Sequence, residues 1–235
     1  MATFVIVHGA WGGGWAWRTV RNQLRAASHE VFTPTLTGLG ERSHLGRPET
    51  NLDTHIQDIV NVLEYEDLTN VILAGHSYAG MVITGAADRA ASRLRHLVYL
   101  DAFVPSDGQS LLDLLSPEAR AAREKQTNLV DGWRIPPGPL APDTPSEIVK
   151  WAMARRGPQP LQTYAQPVRL TGAATNLPRT YVHCTYKPDG DVFAESARQA
   201  RENATWSFHS LPTGHNLQYT ATKEVTEILL GIAAS

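Results

Sequence analysis

Cysteine is almost missing from this chain. Cys184 is the single one in 235 residues, so no internal disulfide forms. That agrees with a reducing compartment, and the cytoplasm is the expected address. Long apolar runs are missing too. The first run, residues 4–7, is too short for a signal-peptide core, and no basic segment precedes it. No stretch reaches the roughly 20 residues that span a bilayer. Charge of one sign is also scarce. The formal net charge is −2, both signs are interspersed, and no basic stripe is present. These absences argue against nucleic acid and membrane as partners. There is no internal repeat, no low-complexity tail, no metal-ligand spacing and no phosphate-binding loop. Neither a metal nor a cofactor is expected.

What is present fits one α/β domain. The chain is 42% hydrophobic and long enough to bury a sizeable core. Strand and helix patterns alternate from the start. Residues 3–8 read as a strand, followed by a Gly-rich turn and a helix to about residue 27. Residues 29–35 read as a second strand. In residues 52–68, Ile56, Ile59, Val60 and Leu63 share one helical face. Strands are then expected at 71–75, 97–100, 180–185 and 206–211, with helices at about 193–201 and at the C-terminus. There Val225, Ile228, Leu229 and Ile232 repeat the spacing. Such alternation implies a parallel sheet covered on both faces.

The alternation breaks between residues 104 and 178. This segment is rich in proline and carries Trp133 and Trp151. It shows helix-like patches at 109–123 and 145–155 and no convincing strand. A long insertion after a strand C-terminus lies where open α/β sheets place their ligands. The expected organisation is therefore a core of residues 1–103 and 179–235, with residues 104–178 as an inserted cap.

The most informative stretch is NVILAGHSYAGM, residues 70–81. An apolar strand runs into Gly75-His76-Ser77-Tyr78-Ala79-Gly80, and a helix pattern follows. A sharp strand-to-helix turn strains its central residue and needs small neighbours, which Gly75, Ala79 and Gly80 supply. Ser77 would stand at the sheet's C-terminal edge, where a nucleophile belongs. A bare G-x-S is common; the strand-turn-helix context is what favours the nucleophile.

A serine nucleophile needs a base, and the base needs an orienting acid. Of nine histidines, His215 follows the last strand, in LPTGHNLQ, and is the expected base. His96, His183 and His209 lie in or beside strands. Strand alternation points His76 away from Ser77's side, and His8 is expected to order the first turn. The acid should follow the penultimate strand, which ends in CTYKPDGDVF and offers Asp189 and Asp191. Asp189 is preferred because Gly190 suits a turn; Asp191 is the alternative. Asp101, ending YLDAF, lies one crossover early, with bracing of the insertion as its ordinary role. The oxyanion donors should be the N–H groups of Tyr78 and of Ala10 in HGAWGGGW. That Gly-rich turn is not a dinucleotide fingerprint. Trp15 and Trp17 crowd the place of a third glycine, and the second strand ends in Thr35-Leu36-Thr37 without a ribose-binding acid.

Together FVIVHGAWGGGWAW, TPTLTGLGERSHL, LAGHSYAGM, VYLDAFVP and GHNLQ resemble the α/β-hydrolase superfamily, nearly end to end. The chain is most similar to the branch of plant hydroxynitrile lyases, methyl salicylate esterases and bacterial esterases acting on pyrethroids or carbendazim. The resemblance implies an α/β-hydrolase fold with a six-stranded, mainly parallel sheet and a helical cap. It maps the triad onto Ser77, His215 and an acid a little under thirty residues before the histidine, which favours Asp189. The acid loop departs from the commoner pattern by a short insertion. The lyases carry a threonine, a glutamate and a lysine where this chain has Gly9, His76 and Asn216, which disfavours cyanohydrin cleavage.

The expected chemistry is hydrolysis of a small, largely apolar or aryl carboxylic ester through an acyl-enzyme on Ser77, with no cofactor. Gly9, Trp11, Trp133 and Trp151 are the expected substrate-binding residues. An amide or carbamate hydrolase using the same triad is the alternative, with a non-catalytic ligand receptor behind it. The expected partner is the small-molecule ester; a homodimer is an open assembly.

Overall fold

The computed structural model describes residues 1–235. In chain order the strands are β1 (Thr3–Val7), β2 (Glu30–Phe32), β3 (Val71–His76), β4 (Leu94–Leu100), β5 (Arg134–Ile135), β6 (Gln159–Pro160), β7 (Arg179–Cys184) and β8 (Trp206–Leu211). The helices are α1 (Arg18–Ala26), α2 (Leu52–Tyr65), α3 (Ala79–Arg89), α4 (Pro117–Gln126), α5 (Ser146–Met153), α6 (Gln162–Ala165), α7 (Ala194–Glu202), α8 (Leu217–Thr220) and α9 (Thr222–Ala234). Six strands, ordered β2-β1-β3-β4-β7-β8, form one parallel sheet. This is the α/β-hydrolase fold.

Side-chain alternation divides the core into two layers. Val5 and Val7 of β1 face a layer built with α2 and α3, while Phe4 and Ile6 face a layer built with α1 and α9. Helix α2 begins at Asn51, whose side chain accepts from the Thr54 amide in a reciprocal capping box. Its buried face, Ile56, Ile59, Val60 and Leu63, packs on α3. Each such side chain contributes about 1.5–3 kcal/mol of burial free energy. No helix is long and apolar enough to cross a membrane.

Two elements differ from the sequence expectation. The second strand stops at Phe32, because the chain turns there to meet the first loop. The Gly14 amide donates to Thr35 Oγ1 at 2.8 Å, and a Cβ on Gly14 would lie 1.9 Å from the Thr33 carbonyl oxygen. The inserted segment also contains strands. Arg134–Ile135 pairs antiparallel with Gln159–Pro160, which four residues of alternating pattern could not announce. Helices α4, α5 and α6 supply the rest. The segment's end is fastened to α3 by Asp88, whose carboxylate accepts from the Thr171, Gly172 and Ala173 amides.

Candidate active site

β3 ends at His76, and the chain turns so sharply that Ser77 adopts φ 59°. A side-chain-bearing residue pays strain in that region, so it persists only where the surroundings hold it. Here the Ser77 amide donates to Leu100 O at 3.2 Å, and Ser77 O accepts from Gly80 N at 3.1 Å. Close packing explains the small neighbours. A Cβ on Gly75 would meet Ala79 O at 2.8 Å, and one on Gly80 would meet Phe103 O at 1.9 Å.

The loop after β8 brings His215 to this turn. Ser77 Oγ lies 2.9 Å from His215 Nε2. The other ring nitrogen, Nδ1, donates to Asp101 Oδ2 at 2.7 Å. Asp101, at the end of β4, is the carboxylate on His215, and this corrects the expectation of Asp189 or Asp191. Asp189 is exposed at the cavity wall and makes no hydrogen bond to His215. Asp191 turns instead to His183, accepting from its Nε2 at 2.7 Å, and caps the Phe193 amide at 2.9 Å. The reason is positional. β4 lies between β3 and β7, so its end points directly under the His215 loop. Like Ser77, Asp101 has a left-handed backbone, φ 46°. Its Oδ1 accepts from the Cys184 amide at 3.1 Å, and its Oδ2 also receives Lys187 Nζ. Burial opposes the Asp101 anion, yet hydrogen bonds and charge from His215 and Lys187 outweigh it and hold the carboxyl at about 2.

The imidazole of His215 is sandwiched. Phe193 stacks on one side at 4.7 Å between ring centres and His76 on the other at 4.5 Å. His76 Nε2 also donates to His215 O at 2.8 Å. His76 therefore stands directly against His215, which strand alternation alone did not indicate. Burial, with the neighbouring His215, holds His76 well below the ordinary histidine value. His8 orders the first turn: Leu36 N donates to its Nε2 at 3.1 Å and its Nδ1 donates to Gly9 O at 2.7 Å.

The Ala10 and Tyr78 amides donate to no group of the protein; Ala10 lines the same small cavity as Ser77, and Tyr78 follows Ser77 in the chain. The adjoining Trp11 has φ 63°. It is held by the inserted segment: Trp11 N donates to Gln159 Oε1 at 3.1 Å and Trp11 Nε1 to Ile135 O at 3.1 Å. Above Ser77 opens a cavity of about 430 Å3, walled by Trp11, Tyr78, Phe103, Leu111, Leu115 and Tyr164 among others. A smaller one of about 70 Å3 adjoins it and reaches Gly9, Ala10 and Trp15. Trp133 and Trp151 line neither cavity, contrary to expectation. Trp151 packs edge-on against Trp15 at 5.1 Å and lies under Arg155, and Trp133 lies under Arg134. Trp151 also meets Tyr219 edge-on at 6.2 Å, so this ring packs the inserted segment against the sheet domain. No group of three or more His, Cys, Asp or Glu side chains is placed to hold a metal ion.

Sequence reasoning missed Asp101's role, Lys187, Phe193 and Gln159. Only Asp101 carried a signal, its place at a strand C-terminus; the others act through contacts between distant segments.

Comparison with known proteins places the chain in a family. Residues 4–228 match the Alpha/beta hydrolase family. A carbendazim hydrolyzing esterase of Nocardioides sp. (strain SG-4G) is 39% identical over 244 residues, covering 99% of this chain and 100% of that protein. A putative chloroplastic methylesterase 14 of Arabidopsis thaliana is 27% identical, over 72% of this chain and 53% of its own length. Among solved structures, an extracellular alpha/beta-hydrolase from a Paenibacillus species superposes with a TM-score of 0.87 at 23% identity, covering 98% of both chains. A pyrethroid hydrolase from Sphingobium faniae JZ-2 does so with a TM-score of 0.80 at 21% identity, covering 100% of this chain and 98% of that one. Fold, family profile and full-length similarity agree, and the chain belongs to the alpha/beta hydrolase family.

Proposed function

We propose that this protein is a serine carboxylesterase that cleaves small, largely apolar or aryl esters through an acyl-enzyme on Ser77. One observation carries the reading. Ser77 Oγ, His215 and Asp101 form a continuous hydrogen-bonded relay, at 2.9 and 2.7 Å, on the floor of a largely apolar cavity. The full-length relative, itself a carbendazim hydrolyzing esterase, supports ester hydrolysis and makes carbendazim the first specific substrate to test.

The steps follow from the geometry. His215 Nε2 takes the Ser77 proton as Oγ attacks the ester carbonyl carbon. The carbonyl oxygen becomes an oxyanion held by the Ala10 and Tyr78 amides; one such donor is worth about a hundredfold to a thousandfold in rate. Collapse breaks the carbon–alkoxy bond, and His215 returns the proton to the leaving alcohol. Water then repeats the sequence on the acyl-enzyme and releases the acid. Asp101 fixes the His215 tautomer and balances the imidazolium charge. The inserted segment, residues 104–178, serves as the cap that walls off the acyl group. Cys184, free and buried, fits a reducing compartment such as the cytoplasm.

Lyase chemistry is disfavoured by packing as well as by residue identity. A Cβ on Gly9 would lie 2.8 Å from His76 Nδ1 and 3.0 Å from Ser77 Cβ, so no threonine fits beside this His76.

Stopped-flow hydrolysis of p-nitrophenyl acetate and butyrate tests the reading. Wild type should turn over both, and Ser77→Ala should lose more than about a thousandfold in kcat. Turnover that survives the substitution overturns the mechanism.

A further inference from the structure

The acid of this triad is shared with a cation. Asp101 Oδ2 receives both His215 Nδ1 and Lys187 Nζ, and the Asp101 side chain is fully buried. Lys187 is itself only 13% exposed, and its ammonium lies 4.8 Å from the centre of the Phe193 ring. That same ring stacks on His215. A second carboxylate, Asp191, approaches Lys187 Nζ at 3.7 Å and is bonded in turn to His183. One continuous chain of polar contacts therefore runs through His215, Asp101, Lys187, Asp191 and His183. A triad needs only the first two of these.

Lysine occupies the stretch where the sequence led us to expect the acid, on the loop after β7. A cation there has a defined consequence. When His215 accepts the Ser77 proton it becomes positive, and Asp101 stabilises that charge. Lys187 on the far side of the same carboxylate opposes it. It also fastens the carboxylate so that Oδ2 stays in line with Nδ1.

We infer that Lys187 is a positioning residue of the triad, which holds the Asp101 carboxylate in register with His215 and sets, by its charge, the lowest pH at which His215 serves as base. The inference rests on the serine-esterase reading. The other groups around His215 are accounted for. His76 faces it from β3. Asp143 of the inserted segment binds the Gly214 amide and Thr213 Oγ1. Arg156, at the far side of the smaller cavity, donates to Gly138 O. None of these touches Asp101 Oδ2.

The test is the pH profile of kcat/KM for p-nitrophenyl butyrate, measured for wild type, Lys187→Met, Lys187→Arg and Asp191→Asn. Removing the cation should move the acid limb of Lys187→Met upward by about one pH unit, the lower end of what a neighbouring charge does. Lys187→Arg keeps the charge and should return the limb to within a few tenths of wild type. Asp191→Asn strengthens the net positive charge beside Asp101 and should move the limb the other way, by a few tenths. A folded Lys187→Met with an unmoved limb overturns the inference. If Lys187→Met does not fold, Asp191→Asn decides: a lowered limb supports the inference, and an unmoved or raised one overturns it. Failure of the esterase reading looks different, since wild type itself would then lack Ser77-dependent turnover.

Discussion

Asp101, Ser77 and Trp11 all carry side chains at positive φ, 46°, 59° and 63°, and all three converge on one site. Backbone in this region costs of order 1–3 kcal/mol per residue, so the surrounding contacts must hold each in place. For Asp101 those contacts are the Cys184 amide, His215 and Lys187. Asp101→Asn keeps the shape but presents His215 with the wrong tautomer. The expected fall in kcat is on the order of 10³–10⁴-fold, whereas Asp189→Asn should stay within about twofold. Parallel steady-state kinetics on the two variants check this, and a larger loss in Asp189→Asn contradicts the assignment. The serine was legible because a strained turn forces small residues into the sequence around it, at Gly75, Ala79 and Gly80. The acid was not, because a carboxylate's partner depends on which strand ends meet in space. Asp189 and Asp101 both follow strands, and nothing local to either residue says that Lys187 takes the room beside His215.

The sheet and the insertion meet at the turn after β1. Trp11 is bonded there to Gln159 of β6 and to Ile135 of β5, and Gly157 N donates to Trp11 O at 3.2 Å. The turn after β1 is thus held by the inserted segment as much as by the sheet. Gln159 is fully buried, and its Nε2 donates to Thr163 Oγ1 at 2.7 Å. Gln159→Leu would leave the Trp11 amide without its partner, a cost of about 1–3 kcal/mol. Kcat should fall about tenfold as the Ala10 donor loosens, and urea denaturation should show a matching loss of stability. Unchanged kcat in a destabilised variant would contradict a link between the inserted segment and the proposed oxyanion donor. The alternation of strands and helices in the core was readable from periodicity, since both cover long, buried stretches. The insertion was read as helix alone, because strands of two residues leave no period in the sequence. Trp133 and Trp151 stood out there as aromatic residues, but arginines lie over their rings and neither lines the cavities beside Ser77.

Burial of polar groups ties the whole molecule to pH. His8 and His55 are held down to about 4 by burial, and burial likewise holds His76 well below the ordinary histidine value. His55 bridges Tyr78 OH and Thr37 O, each at 2.8 Å, so its neutral form is built in behind Tyr78, next in the chain to Ser77. Such groups bind protons in the unfolded chain near the ordinary histidine value of 6.5 but not in the native one. Stability is therefore complete above about pH 6.5 and falls as pH drops toward 4, on the order of 3 kcal/mol for each of His8 and His55. Asp101 adds a later loss, between its ordinary value near 4 and about 2. Urea midpoints from pH 4 to pH 8 should decline on the acid side of 6.5, and a flat profile contradicts the neutral burial of these rings. The central claim is an acyl-enzyme on Ser77, and rapid acid quench of the reaction with p-nitrophenyl butyrate, followed by mass spectrometry of the peptides, tests it most directly. The account predicts one butyryl adduct, carried by Ser77 and absent from Ser77→Ala. Turnover with no adduct, or an adduct on another residue, would contradict it.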